Sequence, residues 1–244
     1  AGACMAPTNH LNLRGIDFIE FSTKNPENLH KLFMAFGFSR TMRHEEKKID
    51  LYEQGEIVFL VNAGNKNFGV NYSEKHGPCV SAMGWRFDDA AIALKMAVDK
   101  GAIEGKNGDY DLNGKKLLAI NGIGDSLIYL VDAFKDNARF SKMGFKKLTS
   151  PDLSKGFGFT FVDHLTNNVE QGQMAKWANF YKDIFGFYEI RYFDIRGVKT
   201  GLTSYALRSP DGSFCIPINE GTEKKSQINE YLEEYKGPGV QHIA

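Results

Sequence analysis

The feature that most restricts this chain is that it states one pattern twice. The first statement runs Gly15-Ile16-Asp17-Phe18-Ile19-Glu20-Phe21, a polar stretch, a helical pattern, Phe36-Gly37-Phe38, alternating segments, and Gly77-Pro78-Cys79-Val80. The second runs Phe161-Val162-Asp163-His164-Leu165, a polar stretch, a helical pattern, Phe185-Gly186-Phe187, alternating segments, and Gly237-Pro238-Gly239-Val240. Phe18 and His164 lie 146 positions apart, Phe36 and Phe185 149, and Gly77 and Gly237 160. Spacing that slips only in turns marks a duplicated supersecondary unit whose loops absorbed insertions.

Each copy predicts the same local order. Asn25 is placed to cap a helix, with Pro26 in its first turn and Leu29, Leu32, Phe33 and Phe36 on one face, stopped by Gly37. In the second copy Met174, Trp177, Phe180, Tyr181 and Ile184 repeat that stripe before Gly186. Strands are expected over Ile57 to Val61, Leu202 to Leu207 and Phe214 to Ile218, the last two separated by the turn Ser209-Pro210-Asp211-Gly212. This is a βαβββ unit. The first copy then repeats it: a strand from Val80 to Phe87, a helix capped by Asp88 with Ala91, Leu94, Met96 and Val98, and strands near Lys116 to Ile120 and Leu127 to Val131. In the second copy only Gly239 to Ala244 follow Gly237-Pro238. The expected fold class is therefore α+β, with two domains and the second incomplete. The expected boundaries are a tail at 1–13, a first domain at 14–134, a charged linker at 135–155 and a second domain at 156–244. An unfinished sheet exposes a strand edge and an apolar face, which predicts self-association.

Composition narrows the partners. Thirty Lys and Arg balance thirty Asp and Glu, so no field favours nucleic acid or an anionic membrane, and a small ligand is expected. Cys4, Cys79 and Cys215 have neither zinc-site nor disulfide-framework spacing, and no apolar stretch is long enough to span a bilayer. A cytoplasmic protein is expected. Phosphate-loop, dinucleotide and nucleophile-elbow motifs are missing, since Gly122-Ile123-Gly124 is not followed by a helical pattern.

The chemistry lies in what differs between the copies. His164 stands where the first copy has Phe18, and His242 where it has Ala82. Imidazoles on two separate strands suit zinc, iron, copper or nickel, and with a carboxylate they would form the facial triad of non-haem Fe(II) oxygenases. A single strand histidine is more often a hydrogen-bonded structural residue. The matched positions favour ligation for this pair, whereas His10, His30, His44 and His76 lack such support, and His30 is expected at the surface.

The runs Val162-Asp163-His164, Pro217-Ile218-Asn219-Glu220, Lys225-Ser226-Gln227-Ile228 with Tyr231-Leu232, and Gly237-Pro238-Gly239-Val240-Gln241-His242-Ile243-Ala244 resemble the 4-hydroxyphenylpyruvate dioxygenase family. The resemblance covers about Gly15 to Ala244, and the first half alone resembles the wider vicinal-oxygen-chelate superfamily, which includes the glyoxalase and bleomycin-resistance folds. It implies two vicinal-oxygen-chelate domains, with His164 and His242 as Fe(II) ligands and a third, glutamate ligand that has no counterpart in this chain. It also implies substrate contacts from Ser204, Pro217, Asn219, Gln227 and Gln241, uncharged groups that can bind a phenol without competing for the metal. Aligning the copies places an apolar residue near Leu130 at the third ligand's position, so the first copy is expected to be a scaffold. The implied activity is conversion of 4-hydroxyphenylpyruvate and O2 to homogentisate and CO2 in the catabolism of phenylalanine and tyrosine, by a homo-oligomer. The alternatives are 4-hydroxymandelate synthase, or a non-catalytic fragment or binding module.

Overall fold

The computed structural model describes residues 8–64, 67–190, 202–222 and 227–244. Cys4, Lys225 and Ser226, named above, lie outside them. The first unit is β1 (Leu13–Ser22), α1 (Pro26–Ala35), β2 (Ser39–His44), β3 (Ile49–Gln54) and β4 (Ile57–Asn62), followed by α2 (Phe68–His76). The second is β5 (Cys79–Phe87), α3 (Ala90–Asp99), the ribbon β6 (Asp111–Leu112) and β7 (Lys115–Lys116), then β8 (Ala119–Asn121) and β9 (Leu127–Val131). After α4 (Arg139–Lys142) and β10 (Phe145–Asp152) the second domain begins. It contains β11 (Leu165–Val169), α5 (Met174–Phe180), a π-helical turn at Tyr181–Phe185, β12 (Tyr188–Ile190), β13 (Leu202–Arg208), β14 (Cys215–Gly221), α6 (Gln227–Tyr235) and β15 (Gly239–Ile243). None of the described helices is long and apolar enough to cross a membrane.

Apart from the two-stranded ribbon β6-β7, the described strands form one sheet per domain, ordered β10-β2-β3-β4-β1-β5-β9-β8 and β12-β13-β14-β11-β15. The duplication holds in register. Glu20 pairs Ala82 and Phe21 pairs Val80 across β1 and β5, while Thr166 pairs His242 and Asn167 pairs Val240 across β11 and β15. Both ladders skip one residue, Ser81 in the first and Gln241 in the second, so each domain carries a β-bulge at the same place. A bulge re-aims the extra side chain toward its neighbour's face, which matters at the site below.

Several expectations are corrected. Residues 135–155 are not a bare linker, because α4 and β10 lie there and β10 closes the edge of the first sheet against β2. Its charged residues, such as Lys146 and Lys147, are those that protect an edge strand from further pairing. The end of the expected tail is packed: Leu11 is buried, and Asn9 is hydrogen-bonded through its amide to both the N–H and the carbonyl of Leu13. Asn25 makes no side-chain cap, and its own N–H donates to Thr23 Oγ1 instead. The cap of α3 is Asp89, which accepts from the Ile92 N–H, while Asp88 pairs with Arg14. That one-residue slip buries Ala90, Ala93 and Ala97, while Leu94 and Met96 of the expected stripe still pack half-buried against the core and Ala91 and Val98 are exposed. His30 is only partly exposed, with Nδ1 2.7 Å from Tyr52 Oη.

The two copies of the first helix meet different surroundings. In the second copy Tyr181 and Phe185 are 1% and 0% exposed, packed with Phe187 and Phe214 around Trp85 of β5. Leu32 and Phe36, their counterparts by the repeat spacing, are 47% and 51% exposed. They line a cavity of about 770 Å³ with Phe159, Phe161 and the end of β15. Contiguous exposed apolar surface of this kind binds amphipathic dyes. This chain is expected to enhance 8-anilinonaphthalene-1-sulfonate fluorescence, and the double substitution Leu32→Ser with Phe36→Ser to lower it severalfold. An unchanged signal would place dye binding elsewhere.

Candidate metal centre

The site is built on one face of the second sheet. Ladder partners share a face, and alternate residues of a strand return to it. On β14 and β13, Asn219 pairs both Asn168 and Ser204, and Pro217 pairs Ala206. On β15, His242 pairs Thr166, two residues before Asn168. His164 precedes β11 and is held by an isolated bridge to Cys215. His164, Thr166, Asn168, Ser204, Pro217, Asn219 and His242 therefore lie on the same side.

The two imidazoles meet. His164 Nε2 lies 3.3 Å from His242 Nε2, with ring centroids 5.3 Å apart and planes at 84°. Each Nδ1 faces an oxygen of the preceding residue: Asp163 Oδ2 is 2.8 Å from His164 Nδ1, and Gln241 Oε1 is 2.7 Å from His242 Nδ1. Gln241 reaches this position because it is the bulged residue of β15. An acceptor at Nδ1 keeps the proton there and leaves Nε2 with its lone pair. Thr166 Oγ1 also lies 3.2 Å from His242 Nε2. The Cys215 thiol is buried, and that burial raises its pKa, so it stays neutral.

A polar array adjoins the pair. Ser204 Oγ donates to Asn219 Oδ1 at 2.6 Å, and Asn219 Nδ2 donates to Asn168 Oδ1 at 3.3 Å. Ser204 is exposed, Asn219 half-buried and Pro217 buried beside it. Gln227 opens α6 and is exposed, and no hydrogen bond among the described residues joins it to this face. Thr166 and Asn168 join this face without a motif of their own in the sequence. The signal was available in the repeat, because their counterparts Glu20 and Ser22 are also polar, on a strand otherwise apolar toward the interior.

The same positions of the first domain are filled. Phe18 and Ala82 occupy the places of the two histidines, inside a cluster with Leu127, Tyr129 and Val131. The Tyr129 ring packs 5.9 Å from Phe18, whereas Leu130 belongs to the cluster on the other side of the sheet. The residue of β9 that faces the old site is therefore Tyr129, not Leu130. A Cβ on Gly84 would come within 2.4 Å of the Phe18 ring, so the plug is tightly seated.

This pairing of a duplicated βαβββ architecture with two imidazoles at matched strand positions defines a protein of the vicinal-oxygen-chelate class. Residues 161–244 match the glyoxalase/bleomycin resistance protein/dioxygenase superfamily, and residues 8–149 match the family described as hydroxyphenylpyruvate dioxygenase, N-terminal. The chain belongs to the 4-hydroxyphenylpyruvate dioxygenase family, a family of enzymes. It is 52% identical over 237 residues to protein MelA of Shewanella colwelliana, covering 97% of this chain and 68% of MelA. It is 43% identical over 240 residues to a 4-hydroxyphenylpyruvate dioxygenase of Legionella pneumophila, covering 98% of this chain and 67% of that protein. It thus spans about two thirds of the length of these curated relatives. Among solved structures it is similar to a xylose isomerase-like TIM barrel/4-hydroxyphenylpyruvate dioxygenase fusion protein, at TM-score 0.77 and 27% identity, covering 98% of this chain and 37% of that one. A mutant of 4-hydroxymandelate synthase from Streptomyces coelicolor shares the fold at TM-score 0.74 and 20% identity, over 98% of this chain and 71% of that one.

Proposed function

We propose that this chain supplies the scaffold domain and two histidine ligands of a non-haem Fe(II) dioxygenase that converts 4-hydroxyphenylpyruvate and O2 to homogentisate and CO2 in tyrosine catabolism. The carrying observation is the 3.3 Å separation of two Nε2 atoms whose Nδ1 partners are acceptors. Two nitrogens bound at right angles to one metal ion at about 2.1 Å lie roughly 3 Å apart, so the pair fits a shared cation. Among the described residues no group of three or more His, Cys, Asp or Glu side chains could hold a metal. The described part therefore offers two of the ligands.

Bound Fe(II) would supply coordination positions for a keto acid and the redox chemistry of O2 activation. Everything else is the protein's task. Asp163 and Gln241 hold the Nδ1 protons, so that both imidazoles present lone pairs. Ser204, Asn219 and Asn168 form a neutral chain that can hydrogen-bond a phenol or carboxylate without competing as ligands. Pro217, one step along β14 from Asn219 on the same face, presents a buried apolar surface beside them, which keeps water from one side of a bound ring.

The test is anaerobic titration with Fe(II) or Co(II), followed by product analysis with 4-hydroxyphenylpyruvate. His164→Ala and His242→Ala are each expected to weaken metal binding at least 100-fold while leaving the fold intact. Undiminished binding in either variant would overturn the assignment. Homogentisate as the product supports the reading, and 4-hydroxymandelate would assign the synthase activity instead.

A further inference from the structure

The two copies share an aspartate just before the site position, and its partners differ. Asp17, before Phe18, is fully buried and accepts from Arg86 Nε at 2.9 Å and from Arg139 Nε and Nη2 at 3.0 and 2.9 Å. Asp163, before His164, leaves its carboxylate 61% exposed and turns Oδ2 to His164 Nδ1 at 2.8 Å. Its backbone is anchored on both sides, since its N–H donates to the Ala244 carbonyl at 2.8 Å and its carbonyl accepts from the Cys215 N–H at 2.9 Å. The contact is therefore not that of a free loop. The His164 side chain is only 16% exposed, so the carboxylate meets a ring already held by its surroundings.

We propose that Asp163 is a positioning residue: it fixes the Nδ1–H tautomer and the plane of the His164 ring, so that the Nε2 lone pair points at His242 Nε2. Gln241 does the same for His242 with a neutral oxygen. A carboxylate accepts only, so it selects one tautomer, and its negative charge also makes the imidazole a stronger donor to a cation. An amide oxygen selects the tautomer with less of that second effect. The two ligands are thus unequal by construction, with His164 the stronger. The same aspartate in the first copy has no imidazole to orient and serves two arginines instead.

The consequence for metal affinity rests on the reading of His164 and His242 as ligands, but the tautomer does not, and the experiment separates them. Long-range 1H–15N spectra of the metal-free chain, at a pH where both rings are neutral, report which nitrogen bears each proton. His164 is expected as the Nδ1–H form, to shift toward Nε2–H in Asp163→Ala, and to keep Nδ1–H in Asp163→Asn, whose amide oxygen still accepts. His242 should be unmoved by either and should respond to Gln241→Ala. In Co(II) titrations Asp163→Ala is expected to bind about 10- to 100-fold more weakly, with Asp163→Asn between it and the unaltered chain. An Nε2–H tautomer for His164 in the unaltered chain, or no change in Asp163→Ala, would overturn the proposal. The expected tautomers in a chain that binds no cobalt would support the positioning role while removing the metal-site reading.

Discussion

Trp85→Ala is expected to destabilise the protein by about 3–5 kcal/mol, the range for deleting a large buried aromatic. Trp85 is completely buried on β5 of the first domain, yet its neighbours are Phe185, Phe187 and Phe214 of the second, with ring centroids 5.0, 5.7 and 5.2 Å away. The indole joins the domains, and its loss leaves a cavity lined by rings from several elements that cannot all close together. Its Nε1 has no hydrogen-bond partner among the described residues, so Trp85→Phe removes an unsatisfied donor along with some volume and should cost much less. Urea unfolding measures both. The alanine variant should also expose the second domain first, seen as faster proteolysis within residues 165–222. Loss below about 1 kcal/mol would mean that the aromatic cluster repacks without the indole.

These contacts show which parts of the fold were legible in the sequence. The duplication could be read because both copies keep Phe-Gly-Phe after the helix and Gly-Pro before the later strand. The same alignment put His164 opposite Phe18 and His242 opposite Ala82, and the ladders place them so. The face of α1 was not legible: Leu32 and Phe36 repeat the stripe that buries Tyr181 and Phe185, and only tertiary contact with Trp85 distinguishes the two. A chain can carry an apolar face without carrying the surface that covers it. The bulges at Ser81 and Gln241 were hidden for another reason. A one-residue excess in a ladder changes no local propensity, so alternation alone would send Gln241 away from His242. The sequence of β10 reads as a linker because edge protection and linker solubility call for the same charged residues.

Glu20→Gln is expected to flatten the pH dependence of stability and to stabilise the protein above neutrality. Glu20 is wholly buried at the position that Thr166 takes in the second domain. Ser81 and Tyr110 hydroxyls donate to its two oxygens, and Asn62 Nδ2 lies between it and Asp109, 3.4 Å from Glu20 Oε2 and 3.0 Å from Asp109 Oδ2. Burial first, and the Asp109 charge second, push its carboxyl from 4.5 up to about 7, against the opposing effect of those hydrogen bonds. The folded state therefore holds a proton that the unfolded chain releases near 4.5. Between these two values the native state binds more protons, so stability is fully present below the window and declines as pH rises through it. At about 1.4 kcal/mol per pKa unit, the loss across the window is roughly 2–4 kcal/mol. Glutamine keeps the shape of the protonated carboxyl and cannot ionise, so Glu20→Gln should match the parent at pH 5 and exceed it at pH 8 by about that amount. Urea titrations at the two pH values, with Tyr110→Phe as the control that removes one hydroxyl but not the charge, measure it. Equal pH slopes for parent and Glu20→Gln would show that the carboxylate is as well solvated inside the first domain as in the unfolded chain. A lower stability of Glu20→Gln at both pH values would instead show that the ionised form is what the Ser81 and Tyr110 hydroxyls are built to hold.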